Sequence, residues 1–215
     1  MEKTFNGIIF DIDGTLTSTN ELIFKSFNHI TTKYLNKYYT PEEIISLFGP
    51  TEEEIIEKLF PGNADEVKKE YYSFYSGQHH LANLYPGMKE LLEKLKTKKI
   101  LLSIFTGKGR KAAEITMKKL SIYDYFDFIV TGDDVENSKP SSEGILKFIN
   151  HFNLDKNKVL MIGDAPPDVI AARESGIEIA SVVWDSYAKD EVLELKSDYV
   201  FHSVKELESF LSTRV

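Results

Sequence analysis

The chain of 215 residues contains no cysteine and a single tryptophan. Without cysteine it has no disulfide, no thiolate nucleophile and no cysteine metal site, so catalysis or metal binding must use other side chains. Its apolar runs are all shorter than the roughly 18 residues of a membrane-spanning helix, and the amino-terminal stretch MEKTFNGIIF lacks the apolar core of a signal peptide. We therefore expect a cytoplasmic protein that does not associate with membranes.

Basic residues are outnumbered by acidic ones: 26 lysines and arginines stand against 34 aspartates and glutamates, which gives a net charge of -8. This balance argues against a nucleic-acid surface and favours a small-molecule partner. With 42% hydrophobic residues, the chain can bury one good core and a smaller satellite. We expect a monomer or a weak dimer.

Five short apolar runs have the length of strands and are continuous rather than alternating, as is typical of parallel strands buried on both faces. They are residues 7–10, 100–105, 126–130, 159–163 and 179–184. After the second run, helical patterns separate the strands, and Gly176 is placed to end one of these helices. The alternation predicts an α/β fold, with a Rossmann-like parallel sheet core flanked by helices.

Between the first two predicted strands, from Glu21 to Leu84, the sequence carries only helical patterns. Two capping boxes indicate helix starts within it, Thr40 with Glu43 and Thr51 with Glu54. We predict that residues 17–85 form an α-helical cap domain inserted after the first strand, while residues 1–16 and 86–215 form the Rossmann-like core. Such an insert can act as a lid.

Polar residues follow four of the predicted strands at their carboxyl ends, where open parallel sheets bind ligands. They are Asp11 and Asp13, then Thr106, Gly107 and Lys108, then Ser138, Lys139 and Pro140, and finally Asp164 and Asp168. Four carboxylates around one point cannot all stay ionised without a cation. Oxygen ligands without histidine or cysteine favour Mg²⁺, which binds through carboxylates, waters and substrate phosphate oxygens.

In this order, DIDGTLT, Thr106, Lys139 and GDAPPD resemble the four motifs of the haloacid dehalogenase-like superfamily of magnesium-dependent phosphatases. The resemblance covers nearly the whole chain and includes the position of the helical cap. The stretches KPSSEGI and GDAPPDVIAARESGI are most similar to the phosphoglycolate phosphatase group. One departure is Ala165, where many relatives carry a small hydroxyl residue, but it removes no essential charge.

The resemblance implies a role for each matching residue. Asp11 is the nucleophile that forms an aspartyl-phosphate, and Asp13 is the acid/base that serves the leaving oxygen and then the attacking water. The metal ligands implied are Asp11, Asp164 and the main-chain carbonyl of Asp13. The phosphoryl oxygens are bound by Thr106, Gly107 and Lys139. Asp168 either positions Lys139 or a metal-bound water, or it caps the following helix.

The function implied is that of a hydrolase acting on phosphoric monoester bonds, a magnesium-dependent phosphatase for a small phosphorylated metabolite such as a phosphoglycolate-like compound or a sugar phosphate. Three alternatives stay open: β-phosphoglucomutase-like phosphotransfer, inorganic pyrophosphatase activity, and a non-enzymatic phospho-acceptor module for signalling. Sequence separates phosphatase from mutase poorly, because the difference lies in how completely the cap excludes water.

Within the predicted cap, the segment LFGPTEE is the expected source of substrate contacts, because Gly49 and Pro50 interrupt the helical pattern. Additional positive potential is expected from Lys108 or Arg110. Other features are predicted to be structural. The stretch TEEEIIEK is expected to be a solvated helical face, His79 and His80 a solvated helix end, and the aromatic group Tyr71, Tyr72, Phe74 and Tyr75 part of the cap's own core.

Overall fold

The computed structural model describes residues 3–215. The strands are β1 (Gly7–Phe10), β2 (Thr17–Ser18), β3 (Asn83–Leu84), β4 (Leu101–Phe105), β5 (Phe128–Val130), β6 (Val159–Gly163), β7 (Glu178–Val182) and β8 (Tyr199–Phe201). The helices are α1 (Asn20–Leu35), α2 (Pro41–Ile45), α3 (Glu52–Leu59), α4 (Ala64–Gly77), α5 (Met88–Thr97), α6 (Arg110–Lys119), α7 (Glu143–Phe152), α8 (Pro166–Ser175), α9 (Lys189–Glu194) and α10 (Val204–Ser212).

A six-stranded sheet of order β5-β4-β1-β6-β7-β8 forms the centre of the molecule, and all its neighbouring strands are parallel. Successive residues of β1 serve opposite faces: Ile8 packs into an apolar cluster with α5, α6 and α10, and Ile9 into a second cluster with α7 and α8. Strands covered on both faces need continuous apolar sequence, which explains the runs in β1, β4 and β6. The predicted α/β fold is confirmed.

One strand and one helix of this core escape the sequence pattern. The strand β8 is a three-residue edge strand with half-buried side chains, and α9 is a short helix beside it. Both are too short to show a periodicity of their own. The five predicted strands are all present: two have the predicted ends, and the ends of the other three differ by one or two residues.

The helices α1 to α4 enclose a separate apolar core, which includes Phe27, Ile56, Tyr71 and Tyr75. Both predicted capping boxes form, at the starts of α2 and α3. The chain enters this helical cap through β2 and leaves through β3, which pair antiparallel. The expectation of no strand up to Leu84 therefore misses β3, whose two residues carry no strand pattern. The domain limits at residues 17 and 85 stay a prediction.

The carboxyl end of α4 lies against α6 of the core. His79, just beyond α4, is buried, and its Nε2 lies 3.3 Å from Thr116 Oγ1, while His80 is exposed. The expected solvated helix end is thus wrong for His79, because its ring fills the contact between cap and core. Among residues 3–215, no helix is long and apolar enough to cross a membrane.

Candidate active site

Three buried carboxylates converge at the carboxyl ends of β1 and β6. Asp11 directly follows β1, Asp164 directly follows β6, and Asp168 lies in the first turn of α8. One oxygen atom from each lies within 4.8 Å of the others. The parallel pairing of β1 with β6 places the two strand ends side by side, so this convergence follows from the sheet topology.

Lys139 lies between two of these carboxylates. Its Nζ is 2.7 Å from Asp168 Oδ1 and 3.0 Å from Asp11 Oδ1. The other oxygen of Asp168 accepts a hydrogen bond of 3.0 Å from the Ala165 main-chain amide at the start of α8. Asp168 therefore holds Lys139 and also caps the helix, which are two of the three roles that the sequence suggests for it.

The charges at this point are not balanced by Lys139 alone. The pKa of Asp11 is raised to about 6, mainly by burial. The positive charge of Lys139 lowers this pKa, whereas the negative charges of Asp168 and Asp13 raise it. Burial, Asp11 and Asp168 likewise hold the pKa of Asp164 well above its ordinary value.

A bound cation would remove the mutual repulsion of these carboxylates. The donor set is made of hard oxygens, which fits Mg²⁺. Because both oxygens of Asp168 already accept hydrogen bonds, Asp11 and Asp164 are the better ligands.

The loop after β1 is shaped around Asp164. Thr15 Oγ1 donates a 3.0 Å hydrogen bond to Asp164 Oδ1. Gly14 has a φ of 78°, and a Cβ atom there would lie 2.2 Å from Asp164 Oδ2. A side chain at this position is excluded both by the backbone conformation and by the lack of space. The glycine of DIDGT thus allows the carboxylate from β6 to approach the β1 loop.

The residues after β4 lie on the other side of Asp11. Thr106 is buried, and its hydroxyl accepts a 3.2 Å hydrogen bond from the Lys108 main-chain amide. Lys108 extends its side chain to Asp13, with its Nζ 3.0 Å from Asp13 Oδ2. The second oxygen of Asp13 accepts a hydrogen bond from the Thr19 hydroxyl. The two aspartates of the β1 motif therefore have different partners, Lys139 for Asp11 and Lys108 for Asp13.

Glu52 is a residue of the site that sequence reasoning missed. It is only 7% exposed. Its Oε2 accepts a 2.7 Å hydrogen bond from the Gly109 amide, and its Oε1 lies 3.3 Å from Lys108 Nζ. The stretch TEEEIIEK is not the solvated face that was expected, because Thr51 and Glu52 are buried where the start of α3 lies against the core. Ile55 and Ile56 are buried in the apolar cluster of the cap itself. The available signal was the preceding Gly49-Pro50 interruption.

Of the two basic residues considered for extra positive potential, Lys108 lies at the site and Arg110 does not line it. The guanidinium of Arg110 pairs with Asp134 and donates to the main-chain carbonyl of Ile129. Burial lowers the pKa of Lys108, but Asp13, Tyr75 and Glu52 outweigh it and hold the pKa well above its ordinary value. Lys108 is therefore a buried, charged ammonium.

A cavity of about 150 Å³ lies between these residues and the cap. Its core side contains the predicted site residues Asp11, Asp13, Thr106, Gly107, Lys139, Asp164 and Asp168. Its cap side is mostly apolar and consists of Asn20, Ile23, Phe27, Phe48, Gly49, Pro50, Glu52 and Ile55. The structure thus places the segment LFGPTEE against the cavity. At the rim, the rings of Phe48 and Tyr187 meet edge to face, with centroids 6.1 Å apart.

Several known proteins are similar to this chain in sequence or in fold. The chain is 31% identical over 209 residues to pyrophosphatase PpaX of Bacillus mycoides, with 96% of this chain and 97% of that protein covered. A predicted phosphoglycolate phosphatase from Haemophilus somnus has the same fold, with a TM-score of 0.83 at 20% identity over 96% of this chain and 97% of its own.

A haloacid dehalogenase-like family protein from Streptococcus pneumoniae superposes with a TM-score of 0.76 at 26% identity, over 96% of this chain and 98% of its own. The sequence model of the haloacid dehalogenase-like hydrolases matches residues 8–182. That match includes both the sheet-end carboxylates and the helical cap. The chain therefore belongs to the haloacid dehalogenase-like hydrolase family.

Proposed function

We propose that the protein is a magnesium-dependent phosphatase that hydrolyses a small phosphomonoester through an aspartyl-phosphate on Asp11. The observation that carries this proposal is the position of Asp11: its carboxylate lies 3.0 Å from Lys139 Nζ and beside Asp164, at the floor of the cavity under the cap. A nucleophilic carboxylate needs positive charge around it to approach an anionic phosphoryl group.

The chemistry runs in two steps. An oxygen of Asp11 attacks phosphorus, the ester P–O bond breaks, and the leaving oxygen takes a proton from Asp13. Water then attacks the phosphorus of the aspartyl-phosphate, Asp13 takes the proton of that water, and the bond to Asp11 breaks to release inorganic phosphate. Throughout, the Lys139 ammonium, the Thr106 hydroxyl and the Gly107 amide donate to the phosphoryl oxygens.

The residues that would hold Mg²⁺ are Asp11, Asp164 and the main-chain carbonyl of Asp13. When bound, the ion supplies charge balance for the carboxylates and for the phosphoryl group. Asp168 contributes indirectly, because its carboxylate fixes the Lys139 ammonium. The raised pKa values of Asp11 and Asp164 support a cation at this point.

The cavity supports a small substrate. A space of about 150 Å³ is comparable to one that holds a benzene molecule. With the cap in this position, a phosphoglycolate-like compound or a small sugar phosphate is therefore favoured over a nucleotide. Pyrophosphate is the second candidate, and it is favoured by the likeness to the PpaX pyrophosphatases over 96% of the chain.

A stable phospho-acceptor for signalling is less favoured. Asp13 lines the same cavity as Asp11, and both of its carboxylate oxygens are held by hydrogen bonds, from Thr19 and Lys108. An acid/base fixed beside the aspartyl-phosphate shortens its lifetime. We expect the wild-type phospho-aspartate to decay within the time of one turnover.

The test is phosphate release from phosphoglycolate, pyrophosphate, sugar phosphates and nucleoside monophosphates, each with Mg²⁺ and with a chelator. Magnesium-dependent release concentrated on one small phosphomonoester supports the proposal and names the substrate, whereas release concentrated on pyrophosphate would identify the second candidate. Transfer of the phosphoryl group between sugar hydroxyls, detected by NMR, would instead identify a mutase. A folded protein that labels Asp11 without releasing phosphate would identify a phospho-acceptor.

A further inference from the structure

One of the contacts between cap and core is made by a short segment, residues 49–52, which we term the docking loop. It fits against three core glycines, which we term the glycine socket: Gly107, Gly109 and Gly132. A Cβ atom on Gly132 would lie 2.5 Å from Thr51 Cγ2, and one on Gly109 would lie 3.0 Å from Glu52 Oε2. Side chains at Gly109 and Gly132 would therefore crowd the loop, so the absence of Cβ atoms there makes room for the cap.

Glu52 carries a charge into this contact. Its carboxylate accepts from the Gly109 amide, which immediately precedes α6, and it is itself the first residue of α3. Helix amino termini stabilise negative charge, so the Glu52 carboxylate lies where two helix ends favour an acidic side chain. Its remaining partner is the Lys108 ammonium at 3.3 Å.

Lys108 connects this cap carboxylate with the proposed acid/base. Its side chain is 2% exposed, and its Nζ lies between Glu52 Oε1 at 3.3 Å and Asp13 Oδ2 at 3.0 Å. The ammonium also faces the ring of Tyr75 at 5.3 Å. A buried lysine with fixed partners on two sides has little freedom, so the position of Glu52 limits the position of Lys108 and hence of Asp13.

We infer that Glu52 is a positioning residue, which holds Lys108 against Asp13 and so makes proton transfer by Asp13 depend on a seated docking loop. The inference rests on the proposed function, in which Asp13 protonates the leaving oxygen. It follows that a protein whose docking loop is displaced still has Asp11 and Lys139 in place but has an imprecisely held acid/base. Phosphoryl transfer is then slowed most for leaving groups that need a proton.

The test compares two substrates of nearly the same shape, phenyl phosphate and 4-nitrophenyl phosphate. Phenolate is a poor leaving group without a proton, whereas 4-nitrophenolate leaves readily. Because kcat/KM covers steps only as far as formation of the aspartyl-phosphate, it isolates the step in which Asp13 acts as an acid. The variant Glu52→Gln keeps the shape and an acceptor for Gly109 but removes the charge that holds Lys108.

We expect Glu52→Gln to lower kcat/KM by about 10-fold or more for phenyl phosphate and by no more than about 2-fold for 4-nitrophenyl phosphate. Gly109→Ala, which leaves all the charges in place and crowds Glu52, should give the same split with a smaller loss. The matched control is Glu57→Gln, a change of the same kind at an exposed position of α3, which should alter neither value.

Equal losses on the two substrates would show that Glu52 merely supports the structure and would overturn the inference, as would no loss on either. Failure of the proposed function looks different: the wild-type protein then cleaves neither these two compounds nor any phosphomonoester of the substrate panel. Seating of the loop is measured separately by amide exchange at Gly109, which we expect to be faster in Glu52→Ala than in the wild type. Unchanged exchange would contradict the docking itself.

Discussion

The two sides of the cavity differ in chemistry. The core side presents carboxylates, two ammonium groups and a hydroxyl, whereas the cap side presents mainly the apolar side chains of Ile23, Phe27, Phe48, Pro50 and Ile55. Charged groups on one wall can bind and cleave a phosphoryl group, while apolar groups on the other can exclude water and fit the leaving group. The difference leads us to expect that the groups that react with the substrate belong to the core, and that the apolar side chains of the cap select the substrate.

The sides also differ in how their charges are balanced. On the core side, burial and mutual proximity hold the pKa values of Asp11 and Asp164 above their ordinary values despite Lys139. On the cap side, Glu52 is paired with Lys108 and with the Gly109 amide. The core wall is therefore arranged to receive further positive charge, while the charge that the cap contributes is already compensated.

The largest expected effect is that of Asp11→Asn. The amide has the shape of the carboxylate but cannot act as the nucleophile, so we expect turnover to fall by a factor on the order of 10³ or more. Removing a buried charge that Lys139 only partly balances should leave the fold intact. Initial rates and thermal unfolding measure both points, with the exposed Asp124→Asn as the control. Near-normal turnover would contradict the nucleophile assignment.

The second prediction concerns Asp164→Asn and the charge balance of the core wall. In chelator, losing one of the crowded carboxylates should raise the free energy of unfolding by about 1 kcal/mol. In Mg²⁺ at about 100 times its Kd, the wild type should gain about 2.7 kcal/mol and the variant much less. The variant is therefore expected to be more stable than the wild type in chelator and less stable than the wild type in Mg²⁺.

Thermal unfolding with and without Mg²⁺ shows whether this reversal occurs. The exposed Asp190→Asn is the control, and it should follow the wild type in both conditions. An equal gain from Mg²⁺ in the wild type and in Asp164→Asn would remove Asp164 from the set of ligands.

Calcium should replace magnesium poorly in turnover, because it is larger and less demanding in geometry.

The core wall is the part that the sequence predicts well. Asp11, Thr106 and Asp164 each follow a buried strand directly, and parallel strands bring their carboxyl ends to one edge. Strand order therefore does not need to be known for the residues to be placed on the same edge of the sheet. The strand β8 cannot be predicted in this way, because its three half-buried residues are too few to form an apolar run that differs from the neighbouring loops.

The cap wall is the part that the sequence predicts poorly. Glu52 is the first of three consecutive glutamates, and nothing local distinguishes it from Glu53, whose side chain is 39% exposed. Its burial depends on how α3 lies against the core loops around Gly109 and Gly132. Contacts between separate domains depend on tertiary packing, which leaves no periodic signal in the sequence. The Gly49-Pro50 interruption indicates the loop but not which residue of it matters.

The third prediction separates hydroxyl chemistry from packing on the core wall. Thr106→Val keeps the branched shape but removes the hydroxyl that we propose donates to the phosphoryl oxygens, so we expect kcat/KM to fall by about 10- to 100-fold. Thr106→Ser restores the hydroxyl and should recover most of the loss. Measuring kcat/KM for all three proteins is sufficient. If Thr106→Val matched the wild type and Thr106→Ser did not, the methyl group and not the hydroxyl would be the important feature.

The smallest expected effect is on the cap wall, at Phe48. Its ring meets Tyr187 of the core at the cavity rim, and such aromatic pairs contribute about 0.5–1.5 kcal/mol beyond the area they bury. If the cap selects the substrate and leaves the reaction to the core, Phe48→Ala should raise KM by roughly 2- to 10-fold and leave kcat nearly unchanged. Phe48→Tyr, which retains a ring for the contact, is the control. A fall in kcat without a change in KM would mean that this part of the cap wall takes part in the reaction, and the division between the two sides would then be wrong.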